Sequence, residues 1–123
     1  SDKLQREMYR SAIPVQEKML IDAPELLLVC YKLRKPLKEC ETLYDLNDLA
    51  SVWMCIENIL LAMTAEGLYG VTAVPRETEA LKKLLNIPDG YEVAAAIPIG
   101  YPKDYTIKQK PTTLNEKIHT DKW

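Results

Sequence analysis

The stretch LASVWMCIENILLAMTAEGL, residues 49–68, decides how the rest of the chain is read. At helical spacing, one apolar stripe carries Leu49, Val52, Trp53, Ile56, Ile59, Leu60 and Met63, and a second carries Ala50, Met54, Leu61 and Ala65. A surface helix needs one apolar face, so a helix with nearly two has to be covered on both sides. A chain of 123 residues offers little material to surround it, so the second face is expected to meet another subunit. The helix is expected over 45–66, with Asp45 or Asn47 as N-cap, Asp48 supporting the positive end, and Gly67 just past the last turn. Ser51, Glu57, Asn58 and Thr64 interrupt the apolar run and argue against a membrane span.

Upstream, ELLLVCY (25–31) is a continuous apolar run between Pro24 and a basic cluster, the pattern of a buried strand. Residues 3–12 place Leu4, Met8 and Ala12 on one helical face, and 15–22 read as a second short helical turn. The charged stretch 32–43, around Pro36, reads as a loop or lid. Downstream, GVTAV (70–74) reads as a short strand ending at Pro75. A helix follows at 78–86, with Ala80, Leu81, Leu84 and Leu85 on one face, and then the turn signal Asp89-Gly90. EVAAAIPI (92–99) reads as another buried strand, in which Pro98 marks an edge or a kink. Residues 101–123 carry +2 against −4 for residues 1–100, and Leu114 and Ile118 make them an arm that packs on something. The length fits a single domain over 1–123.

Net charge −2 gives no basic field for nucleic acid. Three scattered cysteines, Cys30, Cys40 and Cys55, and no secretory address predict reduced thiols in the cytoplasm. The chain starts at Ser1 within a helical pattern, and is expected to be a piece of something longer. A single histidine, His119, supports neither a catalytic triad nor a metal site. No C-x-x-C, Walker or G-x-G-x-x-G motif is present, and no metal is expected. Two features could hold a ligand. The strand end before Pro75 offers backbone N–H groups, and Lys108 and Lys110 put two ammonium groups ahead of Pro111, suited to a phosphate.

The order of these pieces resembles the C-terminal portion of the nitroreductase family, FMN-dependent oxidoreductases that use NAD(P)H. The matching residues are the long helix LASVWMCIENILLAMTAEGL (49–68), VTAVP (71–75), LLNIPDGYEVAAAIPIGYP (84–102) and KQKPTTLNEKIHTDKW (108–123). The resemblance implies an α+β fold, part of an α-β-α sandwich, an intertwined homodimer with the helix 45–66 at its interface, and FMN shared between subunits. It places Thr72, Ala73 and Val74 against the isoalloxazine ring with the Val74 N–H at flavin N5, and Lys108 and Lys110 at the FMN phosphate. The chemistry then belongs to the cofactor, with no dedicated catalytic side chain. NAD(P)H is the implied co-substrate, and a nitroaromatic, quinone or similar small molecule the acceptor; relatives also run reductive dehalogenation or flavin fragmentation. Pro75 stands where many members have Gly, Lys110 where Arg is common, and the family's N-terminal half has no counterpart here. The other expectation is therefore a non-catalytic truncated or split chain, acting as a dimerisation or flavin-partner module.

Overall fold

The computed structural model describes residues 14–104 and 118–120. The helix expected at 3–12 and the arm residues 105–117, including Lys108, Lys110 and Leu114, lie outside the described residues. The elements run α1 (Pro14–Asp22), β1 (Glu25–Lys32), two 3-10 turns (Leu37–Glu39 and Leu43–Leu46), α2 (Asn47–Ala65), β2 (Tyr69–Gly70), α3 (Glu79–Leu85) and β3 (Tyr91–Gly100). The three strands form one antiparallel sheet in the order β1-β3-β2.

Helices cover both faces of that sheet. On one side Ile56 and Met63 of α2 pack with Tyr31, Ala94, Ala95 and Ile97, and Leu49, Val52, Ile59 and Leu60 close around them. On the other, Leu20 of α1 and Leu81 of α3 pack with Ala73, Ala96, Leu26 and Leu28. This is the α-β-α layering that the family resemblance implies. Burial on both faces is also why β3 reads as an unbroken apolar string. A register shift between Val29 and Cys30 leaves Ala94 without a rung, so consecutive Ala94 and Ala95 both reach the α2 side.

The long helix differs from its expectation at its start and agrees with it at its end. Asp45 does not cap α2. Its carboxylate turns back to accept from the Glu41 N–H, the Thr42 N–H and the Thr42 hydroxyl, each at 3.0 Å. Thr42 and Asp45 thus form a capping box for the 3-10 turn that runs into α2, while Leu46, at the N-cap position of α2, contributes no side-chain hydrogen bond. At the other end Gly67 has φ +72°, and the Leu68 N–H reaches the Met63 carbonyl at 2.8 Å. With the Gly67 N–H on the Thr64 carbonyl, this is a Schellman ending, as a glycine at that place predicts. Trp53 leaves the packed stripe and is exposed together with Met54 and Leu61. By length and composition Leu43–Ala65 is apolar enough to cross a membrane, so the four polar residues do not exclude a span as firmly as expected. In this fold one stripe of the helix lies on the sheet.

The strand expected at 70–74 shrinks to Tyr69–Gly70, followed by a lone bridge between Ala73 and Ala96 in the same register. Pro98 does not mark a sheet edge. It is buried in the central strand, opposite Leu26. A proline has no N–H for either neighbour, and the β2 ladder is interrupted beside it, at Val71 and Thr72. Gly70 is tightly enclosed between α2 and β3. A Cβ there would lie 2.5 Å from Met63 Cε and 2.9 Å from both Ile97 Cγ2 and the Pro98 carbonyl oxygen. Met63 can rotate away, but the backbone oxygen cannot. Gly70→Ala is therefore expected to lower stability by about 1–3 kcal/mol, as overpacking does. Urea unfolding should show an earlier midpoint at unchanged slope; a midpoint equal to wild type would mean the approach is not tight.

Candidate functional site

The expected ligand-facing segment starts where β2 gives way to the Ala73 bridge. Ala73 is buried, and it exchanges two hydrogen bonds with Ala96, each at 2.8 Å. Its amide and carbonyl are both committed to β3. In extended chain successive N–H groups point to opposite sides. Alternation along an extended chain would turn the amides of Thr72 and Val74 away from β3. Among the described residues, neither has an acceptor. Val74 is 56% exposed, whereas the next residue, Pro75, is buried and supplies no N–H. The edge thus presents a free backbone donor on a segment held by the Ala73 rung. Such a donor can stabilise electron density arriving on a ligand atom placed against it.

The stretch read as a loop or lid is tied to the start of α2. Arg34 meets Asp48 at 3.0 Å and Lys35 meets Asp45 at 3.5 Å. The Cys40 thiol points at the carbonyls of Pro36 and Asp45. Leu37, Leu43 and Tyr44 stay exposed on it. The three hydrogen bonds onto Asp45, helped by Lys35, hold its carboxyl down to about 2. A folded-state value below the ordinary one means stability present above roughly pH 4 and lost as pH falls toward 2. Acidification through that window is expected to release the Glu41 and Thr42 amides, seen as faster hydrogen exchange. Asp45→Asn should remove that step; an unchanged step would assign it to another group.

A further feature was not visible from any one stretch. A mostly apolar groove of about 490 Å³ lies beyond the end of α1. It is lined by Met19 and Pro24, by Tyr69 and Val71, and by Pro98 and Tyr101, among others. It stops short of Thr72–Val74. Three separate chain segments build it, so the only hint in the sequence was the cluster Pro98, Gly100, Tyr101 and Pro102. His119 is exposed, and the described residues hold no group of three metal-ligating side chains. Cys30, Cys40 and Cys55 are all free thiols.

Residues 3–101 match the family model described as the nitroreductase family. An iodotyrosine deiodinase of Thermotoga neapolitana is 32% identical over 85 residues, covering 69% of this chain and 40% of that protein. A protein of Archaeoglobus fulgidus that carries the name NADH dehydrogenase/NAD(P)H nitroreductase is 38% identical over 73 residues, 54% of this chain and 42% of that one. The chain thus spans about 40% of the length of the curated relatives it matches. Among solved structures, an oxidised iodotyrosine deiodinase bound to FMN and 3-iodo-L-tyrosine superposes with TM-score 0.67 at 23% identity, covering 99% of this chain and 67% of that one. At that identity the likeness establishes the fold.

Proposed function

The chain belongs to the nitroreductase family, whose members are typically flavin oxidoreductases, and from that premise we propose that it supplies part of an FMN site. FMN bound there would carry hydride from NAD(P)H to a nitroaromatic, quinone or similar small-molecule acceptor. The observation that carries this reading is the amide of Val74, which has no acceptor among the described residues and follows the Ala73–Ala96 bridge. Val74 would donate to flavin N5, with the Thr72 and Ala73 backbone along the ring. Lys108 and Lys110 would neutralise the phosphate, and Pro75 leaves one backbone donor fewer. No side chain of this segment needs to move a proton. The acceptor could equally be a halogenated aromatic, a reading favoured by the deiodinase likeness over 69% of the chain.

The same reading pairs two copies through the exposed face of α2 and puts the protein in the cytoplasm, where its three free thiols stay reduced. It involves neither nucleic acid nor membrane. Because the chain covers about 40% of its curated relatives, we further propose that residues 1–123 are not self-sufficient and need the rest of the domain, on this polypeptide or another. The test is to express residues 1–123 and titrate FMN by absorbance. NAD(P)H oxidation is then followed with a nitroaromatic. The expected result is substoichiometric FMN, lost on desalting, with little turnover. Stoichiometric FMN with robust turnover would show a complete site and remove the split-chain reading. No interaction with FMN even when the rest of the domain is supplied would overturn the flavin reading itself.

A further inference from the structure

No further inference is drawn: the strongest candidate, the proline- and tyrosine-lined groove between the end of α1 and the Gly70–Gly100 end of the sheet, is an apolar face with nothing in the structure to show what covers it.

Discussion

Leu61→Lys is expected to convert a dimer into a monomer while leaving the protomer folded. Leu61 is 60% exposed on α2, beside Met54 at 64%, on the stripe that the sheet does not cover. Replacement of an exposed side chain costs the single protomer no more than about 0.5 kcal/mol. The new ammonium would also sit four residues beyond Glu57, where a favourable pair adds a few tenths. At a subunit interface the same charge is desolvated without a partner. That costs on the order of 3 kcal/mol per copy, and a two-fold axis doubles it to about 6 kcal/mol, roughly 10⁴-fold in Kd. Sedimentation at micromolar concentration should then report a monomer whose circular dichroism matches wild type. A dimer that survives the substitution, or a wild type that is already monomeric, would place the partner of this face elsewhere.

The second large effect falls on the cofactor. With the rest of the domain supplied, Lys108→Ala together with Lys110→Ala is expected to weaken FMN by about 2–4 kcal/mol, at ~1–2 kcal/mol for each charge-assisted contact. That corresponds to roughly 30- to 1,000-fold in Kd. The loss should shrink with added salt, since screening weakens exposed charge pairs. Riboflavin, which lacks the phosphate, should bind both forms alike and so serves as the internal control. Equal FMN affinity in the double variant would make the lysines ordinary solvated surface.

Much of the architecture is legible from local pattern. The run 25–31 becomes β1, the region around 49–65 becomes α2, and 92–99 becomes the core of β3, because length and apolar period record burial directly. Gly67 ends its helix as a glycine at that place should. The misses have different causes. Whether Asp45 caps forward or backward depends on the direction of one carboxylate, and here Thr42 and Glu41 take it. Trp53 lies at the border of two stripes, so only the position of the sheet says which side it joins.

The order of the main helices and strands, the apolar excess on α2 and the family's motifs are properties of short windows of chain, and the sequence carries them. Strand order is different in kind. β3 lies between β1 and β2 although it comes last, so Pro98 ends up buried in the middle of the sheet. The candidate site has the same dependence. Thr72 to Val74 can be named by motif as a candidate, but only the structure shows that Ala73 spends both of its backbone groups on Ala96, with no acceptor for the Val74 amide among the described residues. A hydrogen bond between distant residues commits one amide and by alternation frees the next. That commitment is settled when the sheet assembles, and no local window of residues contains it.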